Sequence, residues 1–342
     1  MVTQKDIADH VGVSRTAVSL VLNNAPNSTV SEKTRQLILK AAKEMGYKDS
    51  DVMPKICYVF YNRNSLDPRY FQQLKVAEET AARYGYSLVF MSIKPNPQDH
   101  RRLKELAISQ DTAGILVSGV LDDTVIDILE ETKVPHLYYG STDRTDIHVV
   151  TADYKKVAYD AVKHLIELGH RRIAFFSGSL SLLIIKKELA GYTAALQDAG
   201  IELDKSLIQT GKEEDGDELC SRLHELNIGY TAAYCTNTII QFGVLQGLKR
   251  LGIDVPGQIS LIGHEYTEFV KFSVPQLTTM LISGTQRELP VTRLIDIIQR
   301  NHTGTLYECI TEYELFPGGT TAPRPSLPEG ATSPKTRANG EG

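Results

Sequence analysis

Residues 14–24 carry two stripes at helical spacing. Ala17, Val18, Val21 and Leu22 fall on one side, and Thr16, Ser19, Leu20 and Asn23 recur at i, i+3, i+4 and i+7 on the other. The first stripe suits a core. The second is polar apart from Leu20 and has Arg15 at its head, so it is predicted to face something other than protein. Upstream, Thr3 with Asp6 three residues later is a capping-box start for a helix with an apolar face of Ile7, Ala8 and Val11. Gly12 ends that helix and Ser14 caps the next. Pro26, Asn27 and Ser28 break the pattern, and Ser31 caps a third helix through Ile38, Ala41 and Ala42 to Gly46. Two helices joined by a tight, glycine-containing turn form a helix-turn-helix, and a polar, basic outer face on the second helix points to DNA.

From Ile56 the pattern changes. ICYVFY, SLVFMSI, GILVSGV, VPHLYY, RRIAFFSG, YTAAYCT and ISLIGH are short, apolar, β-rich runs. Amphipathic helical stretches lie between them, such as Tyr70–Tyr84, Tyr154–Leu168, Ala190–Ala199 and Ile239–Leu251. This alternation predicts an α/β architecture of parallel sheets covered by helices on both faces. Roughly 260 residues of it exceed a single sheet, so two Rossmann-like lobes are expected. Ligands of such sheets sit beyond the carboxyl ends of the strands, in a crevice that two facing lobes would enclose. From Thr321 onward, 22 residues hold four prolines and one sizeable apolar residue, Leu327, which predicts a disordered tail over 321–342.

Charge sharpens the division. Residues 1–48 carry seven Lys/Arg against four acids, a net +3, while the whole chain stands at −5, leaving −8 for the rest. A basic head on an acidic body fits a chain that meets nucleic acid only through its head. No apolar run reaches 18 residues, so no membrane span is expected. The opening MVTQKDIADH lacks the basic-then-apolar pattern of a secretory signal, and the four cysteines (Cys57, Cys220, Cys235, Cys309) are scattered without metal-ligand spacing. A cytoplasmic chain with reduced thiols and no cofactor is the expectation. His164, His170, His224 and His302 also lack ligand spacing. No GxGxxG, P-loop or GxSxG occurs, so hydride transfer, NTP hydrolysis and serine hydrolase chemistry lack their signatures and no enzyme is expected.

The residues also match a known pattern. "TQKDIADHVGVSRTAVSLVLNN" and "VSEKTRQLILKAAKEMGY" closely resemble the headpiece of LacI/GalR-type transcriptional regulators. "HLIELGHRRIAFFSG", "GYTAALQDAG", "GVLQGLKRLGIDVPGQISLIGHE" and "PQLTTM" are similar to successive landmarks of that family's effector domain. The resemblance implies a headpiece over 1–48, a linker over 49–55 and a periplasmic-binding-protein-like body over 56–320. It places lobe one at about 56–149 plus 279–304, and lobe two at about 150–278 plus 305–320. It further implies a homodimer that binds a near-palindromic operator as a repressor, with affinity set by a small molecule in the interlobe cleft. A transport component would share the body without the helix-turn-helix.

In that geometry the second helix enters the major groove with its N-terminal end leading, which puts Arg15 and Thr16 against base edges. Arg15 suits the O6/N7 edge of guanine, or alternatively a phosphate. Leu20 stands where similar proteins carry a basic or polar residue; its apolar partner in the groove is the thymine methyl, which predicts an A·T pair opposite it. The alternative is that Leu20 packs on the first helix. Ser14, Ser19, Asn23 and Thr34 are expected to hold phosphates, as is Thr3 through backbone amides at its helix start. The segment "GYKDSDVMPKICYVF" departs from the family, since Lys48–Lys55 contain no A-R-x-L. Eight residues reach at most about 28 Å and Pro54 opposes a helix, so no intercalating hinge and weaker operator bending are expected.

The cleft departs too. By resemblance its lining falls to Tyr70, Phe71, Glu188 (an arginine in similar proteins), Asn237, Thr238 and Glu265 (the latter two aspartates in similar proteins). Ionised Glu188 only accepts hydrogen bonds, where arginine would donate a fork. Three readings stay open: a donor-rich or cationic effector such as an amino sugar; Glu188 turned to solvent with Lys186 or Lys187 serving instead; or a cleft without a ligand, controlled by a protein partner.

Overall fold

A computed structural model describes residues 2–22, 30–47, 53–63, 67–300 and 304–324. It divides into two compact units, Met1–Pro54 and Lys55–Gly342. The predictions for Asn23, for the Pro26–Ser28 break, for Lys48–Val52 of the linker and for the tail beyond residue 324 lie outside the described residues.

The first unit holds α1 (Gln4–Val11), α2 (Arg15–Leu22) and α3 (Glu32–Glu44). The capping box at α1 forms as the spacing predicts, with the Thr3 amide donating to Asp6 Oδ2 at 2.7 Å and the Asp6 amide donating to Thr3 Oγ1 at 3.2 Å. Gly12 takes φ 76°, a left-handed conformation that carries a steric penalty for residues with a Cβ, and so turns the chain into α2. Ile7, Val18, Val21 and Ile38 are at most 1% exposed and form the small core with Ala8, Ala41 and Ala42.

The second unit runs β1 (Lys55–Tyr61), α4 (Arg69–Arg83), β2 (Ser87–Ile93), α5 (Pro97–Ala107), β3 (Thr112–Gly119), α6 (Asp123–Thr132), β4 (His136–Tyr139) and β5 (Val149–Ala152). It continues with α7 (Tyr154–Glu167), β6 (Ile173–Ser177), α8 (Leu183–Asp198), β7 (Ile208–Thr210), α9 (Gly216–Glu225), β8 (Ala232–Cys235), α10 (Thr238–Arg250), β9 (Ser260–His264), α11 (Glu268–Phe272) and β10 (Thr278–Ile282). The last elements are α12 (Leu289–Ile298), β11 (Tyr307–Ile310) and β12 (Tyr313–Phe316).

Two six-stranded sheets result, ordered β11-β5-β4-β3-β1-β2 and β12-β10-β9-β8-β6-β7. Among the described residues, only the β10–β12 pairing is antiparallel. Alternation along β1 sends Ile56, Tyr58 and Phe60 toward α4 and α12, and Cys57, Val59 and Tyr61 toward α5 and α6. In the second lobe Ala232 and Tyr234 of β8 face α7 and α8, while Ala233 and Cys235 face α9 and α10. Helices α7 and α8 pack so closely that a Cβ on Gly191 would meet the Lys155 carbonyl oxygen at 2.0 Å, which explains the glycine of the Gly191-Tyr192 pair.

Three expected boundaries move. β5 completes the first sheet to Ala152 instead of leaving it at 149, and β10 belongs to the second sheet rather than to lobe one. β11 pairs with β5 and so joins the first lobe, where the sequence placed residues from 305 onward in the second. The chain therefore crosses near residues 153, 283 and 311. Strand membership is decided by which backbone lies alongside, information that an apolar run does not carry. The predicted tail is also too long. The Ala322 carbonyl lies 3.0 Å from His170 Nε2, and the Arg324 amide donates to the Leu168 carbonyl at 2.8 Å, docking residues 321–324 on the second lobe.

Candidate functional site

The outward face of α2 is built by its cap and its core. Ser14 Oγ accepts the Ala17 amide at 3.1 Å, fixing the start of the helix. Burial of Val18 and Val21 then turns Arg15 and Thr16 outward, exposed, with Ser19 and Leu20 half-buried beside them. Leu22 packs on the core cluster, and Leu20 is not among the residues that do. The first turn of α2 holds no acidic side chain, so its amide dipoles face outward without a neutralising carboxylate. Two of the expected phosphate ligands have local partners. The Thr3 hydroxyl donates to Asp6 Oδ2 at 2.8 Å, and Thr34 Oγ1 lies 2.9 Å from Ser31 Oγ.

The second candidate lies between the lobes of the body. A cavity of about 80 Å³ is lined by Arg63, Arg69, Tyr70 and Tyr139 from the first lobe and by Glu188, Glu213, Thr236, Asn237, His264 and Glu265 from the second, among others. It shares Arg69, Gln73, Tyr139 and Glu265 with a larger, more apolar cavity of about 270 Å³ against α4 and α12. The polar chemistry concentrates in the smaller one. Eight buried side-chain polar atoms lack a hydrogen-bond partner among the described residues, and five belong to its lining: Arg63 Nε, Glu188 Oε1, Thr236 Oγ1, His264 Nε2 and Glu265 Oε2. Each such group costs about 1–3 kcal/mol, so a cluster of them marks a place built for something else.

Secondary structure fixes these positions. Glu188 sits on the buried face of α8 and is 0% exposed. Asn237 caps α10, its Oδ1 accepting the Ile240 amide at 2.9 Å. His264 ends β9, and Glu265 follows at φ 79°, a left-handed backbone unusual for a residue with a side chain. Tyr234 donates its hydroxyl to Glu188 Oε2 at 3.4 Å and lies 3.2 Å from His264 Nδ1. Burial drives the electrostatics. It holds the Glu188 carboxyl well above its usual range, with the charge of Glu265 adding to the effect, and pushes Glu265 up to about 7. Burial and the nearby Arg69 push His264 down to about 3, so it is neutral. Arg69 stays charged despite its own burial because Asp67 accepts its hydrogen bonds and Glu265 and Glu213 add their charge.

Of the residues expected from sequence, Tyr70, Glu188, Asn237 and Glu265 line this cavity. Two do not. Phe71 is 65% exposed and lines neither cavity, because successive helical residues diverge by about 100° and Tyr70 already faces in. Thr238 is fully buried within the lobe, where its hydroxyl accepts from Thr267 at 2.9 Å. The burial of Glu188 also rules out its turning to solvent, and Lys187 instead reaches across to Ser141 Oγ at 3.0 Å. Arg63, Arg69, Glu213, Thr236 and His264 were not foreseen. His264 was signalled by its place between Gly263 and Glu265, while Glu213 lies in a short 3-10 turn with no motif of its own.

Both units of the chain match known proteins. Residues 3–50 match the model described as bacterial regulatory proteins, lacI family, and residues 53–324 match periplasmic binding proteins and sugar binding domain of LacI family. The HTH-type transcriptional repressor CytR of Escherichia coli (strain K12) is 28% identical over 94% of this chain and 97% of its own. Catabolite control protein A of Priestia megaterium is 29% identical over 82% of this chain and 87% of its own. The lac repressor dimer bound to operator and the anti-inducer ONPF superposes with a TM-score of 0.67 at 25% identity, covering 94% of this chain and 99% of that one. With a helix-turn-helix unit, a two-lobed body and matches spanning both, the chain belongs to the LacI family of bacterial regulatory proteins.

Proposed function

We propose that the protein is a cytoplasmic, dimeric repressor that reads its operator with α2 and is modulated by a small molecule in the interlobe cleft. One observation carries the DNA reading: burial of Val18 and Val21 presents Arg15, Thr16 and Leu20 together on the outward face of a capped helix whose first turn lacks acidic side chains. Arg15 and Thr16 meet base edges, Leu20 meets a thymine methyl, and Ser14, Ser19 and Asn23 hold the backbone, with Thr3 and Thr34 contributing through their helix starts. With no A-R-x-L segment in the linker, specificity rests on these side chains and the operator is bent less than by hinge-bearing relatives. The relatives are transcriptional regulators, and the cleft is read as a regulatory site rather than a catalytic one.

The test is a mobility shift at moderate salt with the full chain and DNA from upstream of its own coding region, followed by selection from a random pool. A palindromic consensus is expected. Binding that an excess of unrelated duplex abolishes would overturn the reading. For the cleft, the five unpaired polar atoms favour an effector over a site that has lost its ligand.

A further inference from the structure

We infer that the effector is an amino sugar whose protonated amine sits between Glu188 and Glu265; this rests on the interlobe cleft being the effector site. Both carboxylates flank one imidazole nitrogen, with Glu188 Oε1 at 3.6 Å and Glu265 Oε1 at 3.8 Å from His264 Nε2. These distances are too long for hydrogen bonds, and Glu188 Oε1, His264 Nε2 and Glu265 Oε2 all lack a partner.

The hydrogen-bond network assigns their roles. Tyr234 gives its single proton to Glu188 Oε2, so its oxygen can only accept from His264 Nδ1, 3.2 Å away. A neutral imidazole protonated on Nδ1 presents a lone pair on Nε2. With both carboxyls ionised, Glu188, His264 Nε2 and Glu265 therefore present acceptors to the same part of the cavity. An ammonium offers three N–H donors and no acceptor, the complement of that set. A hydroxyl offers one donor and brings two lone pairs of its own, which leaves acceptors facing acceptors. The unpaired Arg63 Nε and Thr236 Oγ1 on the same cavity supply partners for sugar hydroxyls.

Among the described residues, neither Arg69 nor Lys187 takes the ammonium's place. Arg69 is occupied by Asp67 and, through both terminal nitrogens, by Glu213, while Lys187 is bonded to Ser141. Arg63, Asp67, Arg69 and Glu213 are the charged groups that face the pair from other elements, and Tyr139, Tyr154 and Tyr234 have hydroxyl pKa values raised by burial, so they stay neutral through the physiological range. Because burial favours the protonated carboxyls in the free protein, a bound cation draws protons off them. Binding therefore releases protons and tightens as pH rises through about 7.

The experiment is calorimetry on the full chain with glucosamine and galactosamine, beside glucose and galactose, which carry a hydroxyl where the amine stands. The amines are expected to bind about ten-fold more tightly or better, since charge-assisted hydrogen bonds exceed neutral ones by about that margin. Their heats should differ between buffers of unlike ionisation enthalpy, which reports the released protons. Glu188→Gln, nearly isosteric, should weaken the amines by about thirty-fold or more. Glu265→Gln, at a position less buried than Glu188, should weaken them in the same direction and guards against misfolding of the first variant. Equal affinity for amine and hexose, binding of a neutral sugar or nucleoside alone, or indifference to both substitutions would overturn the inference and leave the cleft as an effector site. Failure of all four sugars would also overturn it. If neutral sugars and nucleosides then leave the melting temperature unmoved as well, the effector site falls with it.

Discussion

Arg69 and Glu213 join the two lobes as a two-pronged ion pair, with NH1 to Oε1 at 2.9 Å and NH2 to Oε2 at 2.6 Å. Arg69 follows β1 in the first lobe and Glu213 follows β7 in the second, so the pair exists only while the lobes stand close. Glu213→Ala leaves Arg69 bonded to Asp67 and so strands no buried charge. The expected cost is about 1–2 kcal/mol, below that of breaking a fully buried pair. Small-angle scattering of the variant should report a larger radius of gyration without effector. Additivity of Arg69→Ala and Glu213→Ala in a double-mutant cycle would show that the pair does not couple the lobes.

At the headpiece, Arg15→Ala should weaken operator binding by about 1–3 kcal/mol and relax sequence preference at one G·C pair. A uniform loss across sequences, with a salt slope lowered by about one, would make Arg15 a phosphate ligand instead. The same selection experiment reads Leu20. An A·T pair is expected opposite it, and Leu20→Ala should lower the preference there; a strict G·C at that step refutes the thymine contact.

Stability of the first unit depends on its turn chemistry. Thr3→Ala removes the side-chain acceptor at the start of α1 and should cost about 1 kcal/mol. Gly12→Ala meets open space yet forces φ 76° on a residue with a Cβ, for about 1–2 kcal/mol. Thermal melts that follow helical signal will separate these losses from the body if its transition stays in place.

Glu265 links the cleft to pH. Its carboxyl is held at about 7 against an ordinary 4.5, so between those values the folded chain keeps a proton that the unfolded chain has released. Stability from this group therefore falls as pH rises through the window. Glu265→Gln should gain on the wild type from about pH 4.5 upward, levelling near 3 kcal/mol, to order of magnitude, above pH 7. His264, pushed the opposite way, weakens both proteins as pH falls from 6.5 toward 3 and cancels in the difference. Denaturant titrations of both proteins at pH 5 and pH 8 test it; an equal gap at the two values would contradict the burial of this carboxyl.

Much of the molecule was legible in advance where the controlling interactions are local. The capping box of Thr3 and Asp6, the left-handed Gly12 and the Ser14 cap each act within a few residues, and the predicted starts and stops of α1 and α2 follow from them. The seven apolar runs became seven of the strands for the same reason, since alternation is read along one segment. Elements with weaker patterns, such as β5, β10 and β11, were missed or given to the wrong lobe.

The sequence by itself determined that a polar stripe on a helix of the first unit must face outward, that two α/β lobes follow, and that carboxylates stand where similar proteins carry an arginine and an aspartate. Only the tertiary structure decided which of the cleft residues meet. Tyr70 turns in and Phe71 out because α4 shows the sheet one face, and Thr238 is consumed by Thr267 inside the lobe. Residues 188, 234, 264 and 265 converge because β8, β9 and the first half of α8 meet at the same edge of the sheet, and Arg69 finds Glu213 across 144 positions of chain. Such contacts depend on how the lobes are threaded and packed, and long-range packing leaves no periodic trace in the residues that it brings together.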